Sequence, residues 1–358
     1  MKTFIIIGLN PQGLSMLRLL SRAGHHVIAF SDSKTAVGFF SKYGDKRLFS
    51  TIEELKKQIS DLAESSDEKL TCIITSGVLL AWIVSDYPEL YELCNVQSGP
   101  LPLIKLLAHK NLMYDFASSK GLKCARFVLL SDYRPGALQF PVILKRNYEI
   151  HLFFKVKKLN SEAEFREFVK KIDKKDYQNI IVQEFITLEN FLNVSYQGYF
   201  IDGEAGCVFI SDQQRRLSSG ITSFIKEIRD KEILEITNKA ADAFYKGSGY
   251  TGFSELEFLY SIPDKTLYFI EINTRTCGLH SVLVKKYPNL AGLYNEPGNF
   301  PAMIENTEQI QWINIARDIR ARFQSRDLKH LSQFFTSYYD ILDRHDLKPF
   351  IYQFLWRI

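Results

Sequence analysis

Paired cysteines are missing from this sequence. Cys72, Cys94, Cys124, Cys207 and Cys277 are scattered singly along 358 residues, with no C-x-x-C spacing. That excludes a zinc knuckle and a disulfide-stapled small fold, and unmatched thiols suit a reducing, cytoplasmic compartment. Long apolar runs are missing too. The longest apolar-rich stretch, "CIITSGVLLAWIV" at 72–84, contains Thr, Ser and Gly and falls short of the roughly 20 residues that cross a bilayer. No transmembrane segment is expected. The start, "MKTFIIIGLNPQG", breaks at Asn10-Pro11 without a small-residue cleavage site and reads as a first β-strand rather than a leader. A net charge of +4 with no dense Lys/Arg tract among aromatics gives no footprint for nucleic acid. There is no internal repeat and no low-complexity segment. No Ser/His/Asp or Cys/His set stands out, and the seven histidines, His25-His26 included, read as surface or packing residues.

One further absence concerns the first strand–helix turn. It reads Gly8-x-x-x-x-Gly13 and not G-x-G-x-x-G, so the close backbone approach to a pyrophosphate is lost. A Rossmann-like sheet without a dinucleotide is the expectation for residues 1–105. There "TFIIIGL", "HVIAFSDS" and "LTCIITS" read as strands, alternating with helices over "PQGLSMLRLLSRAG" and "STIEELKKQISDLAESS". The second helix opens with a capping box, Thr51 to Glu54, and the alternation implies a parallel sheet with covered faces.

A chain this long divides into more than one core. Residues 106–187 read as a small α+β unit. The helix "HKNLMYDFASSKGL" carries Lys110 in its first turn, and the strand "FPVILKRN" bears Lys145. "HLFFKVKKL" reads as another strand, and a second capping box, Ser161 to Glu164, opens a helix. The strand "NIIVQEFI" ends in Gln183 and Glu184. Residues 188–300 hold several strand-like runs. Residues 301–358 are aromatic-rich and read as a helical extension.

The most informative stretch is "GYTGFSELEFLYSIPDKTLYFIEINTR". Two alternating apolar runs flank "IPDK", a turn-type cluster. A hairpin centred on Asp264 sets Glu257 opposite Glu271 and Glu255 opposite Asn273. All four then share one sheet face, with Leu256, Phe258, Ile270 and Ile272 on the other. Carboxylates directly opposed have Cβ atoms about 4.5–5.5 Å apart and repel. No Lys or Arg of the hairpin lies between them. A divalent cation converts that repulsion into binding, and oxygen ligands from Glu257, Glu271 and Asn273 suit Mg²⁺, with Mn²⁺ as a substitute. Phosphates brought by such an ion call for further cations, and Lys110 and Lys145 are point charges of the right kind.

The order Lys110, Lys145, strand-end Glu184, then the Glu257/Glu271-x-Asn273 hairpin with Arg275, resembles the ATP-grasp superfamily of carboxylate–amine ligases. The match runs over "HKNLMYDFASSKGL", "FPVILKRN", "IIVQEFI", "GFSELEFLY" and "LYFIEINTR". Within the superfamily the chain looks most like D-aspartate ligase and the carboligases of bacterial surface-polysaccharide clusters, and its tail "QWINIARDIRARF…DLKPFIYQFL" is similar to theirs. The resemblance covers nearly the whole chain. It implies a three-part α/β and α+β architecture: a Rossmann-like pre-ATP-grasp domain (1–105), a small α+β lid (106–187), a larger antiparallel-sheet subdomain (188–300) and a helical extension (301–358).

It also implies ATP and Mg²⁺. Lys110 and Lys145 would bind the phosphates, Glu184, Phe185 and Ile186 the adenine, and Glu189 the ribose. Glu257, Glu271 and Asn273 would hold the metal. Arg275 would stabilise the transferring phosphoryl, and Arg215 or Arg216 would lie near the substrate. The implied partners are a small-molecule or glycan-linked carboxylate and an amine, in a cytoplasmic enzyme whose oligomeric state is open and could be a homodimer. The expected product is an amide or peptide-like bond. A carboxylase-type enzyme using a small acid and a non-catalytic nucleotide-binding subunit are the alternatives. One departure from relatives is visible: the lid connection "RNYEIHLFFK" has no glycine, leaving its amides less able to wrap a phosphate. His151 or Lys155 is the expected substitute.

Overall fold

A computed structural model describes residues 2–148, 153–218, 220–294, 301–326 and 329–356, with the backbone alone for 354–356. Three sheets organise them. The first is parallel, with strands β1 (Thr3–Ile7), β2 (His26–Ser31), β3 (Asp45–Leu48), β4 (Thr71–Ile74) and β5 (Asn95–Val96) in the order β3-β2-β1-β4-β5. After Thr3, β1 is wholly apolar because both faces are covered: Ile5 and Ile7 enter one core, Phe4 and Ile6 another. Gly8 sits at φ +102°, and a Cβ on Gly13 would fall 2.1 Å from the Gly8 carbonyl oxygen. These two glycines let the helix Pro11–Arg22 close down on the strand end. Their use is helix–strand packing.

The second sheet holds β6 (Phe127–Leu129), β7 (Val142–Arg146), β8 (Val156–Leu159) and β9 (Ile180–Glu184), antiparallel in the order β6-β9-β7-β8. It has its own core of Val142, Leu144, Leu159, Phe165, Ile180 and Val182. Phe165 comes from the helix Glu162–Val169, where the Ser161 hydroxyl accepts from the Glu164 N–H at 3.3 Å. The Glu164 carboxylate in turn accepts from the Asn160 N–H at 2.9 Å. The strand expected from residue 151 is present as Val156–Leu159; His151 lies outside the described residues.

The third sheet has seven strands: β10 (Phe191–Ile201), β11 (Glu204–Arg216), β12 (Thr222–Glu227), β13 (Gly252–Ser261), β14 (Thr266–Asn273), β15 (Gln311–Ile313) and β16 (Tyr338–Tyr339). Their order is β14-β13-β10-β11-β12-β15-β16, antiparallel except between β15 and β16. The helix Lys231–Tyr245 buries Ala241, Phe244 and Tyr245 with Leu256, Phe258 and Phe269. The first and third sheets meet where Ser98 bridges Gly252, and a Cβ on Gly252 would fall 2.4 Å from the Gln97 carbonyl oxygen.

The end of the chain corrects the helical expectation for 301–358. It does contain the helices Ile315–Ser325 and Lys348–Trp356, but β15 and β16 also extend the third sheet, and Trp312 is wholly buried. Strands of three and two residues are too short to display a period of two, whereas the aromatics around them mimic a helical face. Arg18 Nε, on the first helix, binds Asp346 Oδ2 at 2.9 Å and ties this final segment to the first domain.

Candidate functional site

The hairpin β13–β14 pairs Glu257 with Glu271 and Glu255 with Asn273, in the register the alternation predicts. A bulge follows Glu257, so that Phe258 faces Phe269 and Ile270 is left unpaired. Ile270 therefore corrects one expectation: it lines a cavity on the carboxylate side and stays out of the core that takes in Leu256, Phe258 and Ile272. Bulges re-aim side chains in this way. β10 completes the floor, with Ser195 opposite Glu257 and its hydroxyl donating to Glu255 Oε1 at 2.5 Å. Asn273 Nδ2 donates to Glu255 Oε2 at 3.1 Å, and Arg275 donates to Asn273 Oδ1, also at 3.1 Å.

Both lysines reach this face. The helix Lys110–Ser119 has no capping side chain at His109. Its first N–H groups are satisfied from β7 instead: Lys110 N–H donates to the Asn147 carbonyl at 2.8 Å and Asn111 N–H to Asn147 Oδ1 at 2.9 Å. A cap borrowed from the end of β7 fixes Lys110 relative to Lys145 two residues upstream. Lys110 Nζ stands 3.4 Å from Glu271 Oε2. Lys145 Nζ donates to Gln183 Oε1 at 2.9 Å and to the Tyr114 hydroxyl at 3.2 Å, and that hydroxyl donates to the carbonyl of bulged Ile270 at 2.8 Å. Tyr114 and Gln183 were not foreseen as site residues. One signal existed for Tyr114, its i+4 spacing from Lys110 on a helix.

Two cavities meet at Lys145. One, about 320 Å³, is lined by Lys110, Lys145, Asn147, Lys155, Glu271 and Arg275, among others. The other, about 400 Å³, is more apolar and is lined by Glu184, Phe185, Ile186, Asn193, Arg216 and Glu257, among others. Glu184 Oε1 accepts from the Gln139 N–H at 2.9 Å and pairs with Arg126 at 3.5 Å. Glu189 is exposed and not part of either lining; Thr187 and Asn193 line the second cavity where it was expected. Of the two arginines, Arg216 points to Glu257 at 3.8 Å. Arg215 does not join the cluster. It is bound to Asp318 and Gln333, because register shifts in β11 turn neighbouring residues to separate partners.

The electrostatics follow from crowding. Burial, then Glu255 and Glu271, pushes the Glu257 carboxyl up to about 8, with Arg216 and Lys110 opposing. Glu255 is also raised, by burial first. Glu271 is lowered, chiefly by Lys110. Lys145 is lowered by burial against the pull of Glu271 and Glu257. Glu255 is held by Ser195 and Asn273, which leaves the facing pair Glu257 and Glu271 for a divalent ion. Among the described residues, no three His, Cys, Asp or Glu side chains are gathered tightly enough to form a complete metal site. The donor set fits an ion that brings phosphate and water oxygens as part of its shell, the habit of Mg²⁺.

No family model and no curated protein matches the sequence. Solved structures do. N5-carboxyaminoimidazole synthetase from Staphylococcus aureus, complexed with ADP, is similar with a TM-score of 0.67 at 15% identity, covering 87% of this chain and 82% of its own. L-amino acid ligase from Bacillus licheniformis gives 0.61 at 16% identity, over 85% of this chain and 75% of its own. The biotin carboxylase domain dimer of Hydrogenobacter thermophilus 2-oxoglutarate carboxylase, in complex with MgADP, ADP and bicarbonate, gives 0.64 at 15%, over 80% and 67%. The fold of this chain is the three-part ATP-grasp fold these proteins share.

Proposed function

We propose that the protein is an ATP-dependent carboxylate–amine ligase that forms an amide or peptide-like bond and releases ADP and phosphate. The observation that carries the reading is the in-register Glu257–Glu271 pair with Lys110 and Lys145 converging on it, in an ATP-grasp fold. In this reading Phe185, Ile186 and Ile270 enclose the adenine, and Glu184 accepts from its amino group through Oε2, since both of its protein contacts fall on Oε1. Asn193 replaces Glu189 as the ribose contact. Glu257, Glu271 and Asn273 hold Mg²⁺, which supplies charge neutralisation for the phosphates.

The chemistry needs no protein nucleophile. Lys110 and Lys145 orient the γ-phosphate, and Arg275 holds the substrate carboxylate beside it. A carboxylate oxygen bonds to the γ-phosphorus as the bond to the bridging oxygen of ADP breaks. Arg275 and Lys145 balance the charge on that transferring group. The amine nitrogen then bonds to the acyl carbon, phosphate departs with the bonding pair, and the proton lost by nitrogen leaves with it. Lys155 faces the same cavity and stands in for the missing lid glycine. The branch resemblance makes surface-polysaccharide or cell-wall synthesis the proposed setting, in the cytoplasm, with a homodimer to be tested by light scattering.

A second reading has bicarbonate as the acid, favoured by the biotin carboxylase domain among the similar structures. Calorimetric titration with MgATP, followed by ADP release with pooled amino acids or with bicarbonate, separates the two. Absence of magnesium-dependent ATP binding overturns both. Binding without turnover under any acid leaves a nucleotide-binding subunit.

A further inference from the structure

We propose that the acid activated here carries an apolar side chain, seated on a wall that the first domain builds beside Arg275. This rests on the ligase reading and names its substrate class. The helix Gly77–Asp86 places Gly77, Leu80, Ala81 and Val84 on the cavity that Arg275 lines, at the i, i+3, i+4, i+7 spacing of a single helix face. Arg275 lies against the first turn of that helix: a Cβ on Gly77 would stand 3.1 Å from Arg275 Nε. From there the helix climbs at 1.5 Å per residue, which puts Leu80 about 4.5 Å and Val84 about 10 Å further along. An acid whose carboxylate rests on Arg275 therefore extends its side chain along Leu80, Ala81 and Val84.

The helix Leu101–Leu107 widens the same wall with Ile104 and Leu107. Its lining residues offer no charged side chain; the cavity's charges, Lys110, Lys145, Arg146, Lys155, Glu271 and Arg275, come from other elements. A second carboxylate or an ammonium on the acid would lose its water against leucine and valine with nothing in return. The wall thus selects for an amino- or hydroxy-acid-sized molecule with a short hydrocarbon side chain, and against a dicarboxylic acid.

The test uses the full chain with Mg²⁺, ATP and hydroxylamine as the amine, so that any activated acid is trapped as a hydroxamate. Leucine and valine, in both enantiomers, are compared with aspartate, glutamate and lysine. The expected result is a kcat/KM at least about tenfold higher for the apolar acids, the scale of apolar-pocket discrimination. Ala81→Asp at this half-buried position should lower that value about tenfold, with the KM for ATP unchanged. Val84→Thr, which sets a hydroxyl on the same wall, should lower it several-fold, and a melting curve of each variant checks against misfolding. Charged acids matching or exceeding leucine overturn the proposal, as does hydroxamate from no acid while MgATP binds. Failure of MgATP to bind is seen separately by calorimetry, and it removes the ligase reading together with this one.

Discussion

Arg215 and Arg216, neighbours on the seven-stranded sheet, feed two different charge clusters. Arg215 joins Asp318 and Arg322. Arg322 Nε lies 2.7 Å from Asp318 Oδ2, the Ser223 hydroxyl donates to Asp318 Oδ1 at 3.0 Å, and both guanidiniums donate to Gln333 Oε1. Asp318 is wholly buried, and each of its two oxygens meets a guanidinium at short range. Arg216 joins the other cluster, where three glutamates face Lys110 at 3.4 Å and Arg216 at 3.8 Å. The first cluster is closed and holds the end of the chain to the sheet. The second sets three glutamates at longer distances from their nearest cations, and crowding drives their carboxyls apart, Glu257 upward and Glu271 downward.

The comparison breaks most sharply at the acidic pair. Glu257→Gln with Glu271→Gln is expected to cut ADP formation by about a thousandfold or more, since the metal loses both charged ligands. Unliganded Glu257→Gln alone should nevertheless melt a few degrees higher near pH 8, because a carboxylate that repels Glu255 and Glu271 is gone. Calorimetry with magnesium and a melting curve read the two effects; unchanged magnesium-dependent nucleotide affinity would falsify the site. Asp318→Asn is the mirror experiment. It strands two buried guanidiniums, for an expected loss of about 3–5 kcal/mol in stability, read by urea unfolding, with MgATP affinity of the folded protein unaltered.

Acid pH gives a smaller effect. With Glu257 raised to about 8 from 4.5, cation uptake below pH 8 must expel a proton, so MgATP affinity should fall by up to about tenfold per pH unit. Titrations in buffers of different ionisation enthalpy would reveal that proton; a flat profile from pH 6 to 8 would remove the linkage. The sign for folding is opposite. The native state keeps a proton the unfolded chain has shed, so this carboxyl makes the unliganded protein less stable as pH rises from about 4.5 to 8. Smallest of all, Gly77→Ala must shift Arg275 by a few tenths of an ångström. A several-fold drop in kcat at constant ATP affinity is expected, and no drop would mean that Arg275 has room to spare.

How much of this was legible depends on distance along the chain. The pairs Glu257–Glu271 and Glu255–Asn273 could be read from the alternation of two runs and the turn between them. The bulge that sends Ile270 to the cavity could not, since nothing local distinguishes it from its apolar neighbours. Arg215 and Arg216 looked equivalent until β11 changed register. Gln183 resembled the exit of a strand, yet it holds Lys145. The three-residue strand at Trp312 was hidden among aromatics of helical appearance.

By itself the amino-acid order settled the periods: which stretches alternate, which helices begin at capping boxes, and which carboxylates must oppose each other in a hairpin. Those are local consequences of backbone geometry acting over a few residues. The folded chain alone decided which cations reach the carboxylates, which arginine is left for the site, and which apolar helix face closes the cavity. These choices join residues more than a hundred positions apart, and their energies depend on burial and distance, quantities that exist only once the three sheets have come together.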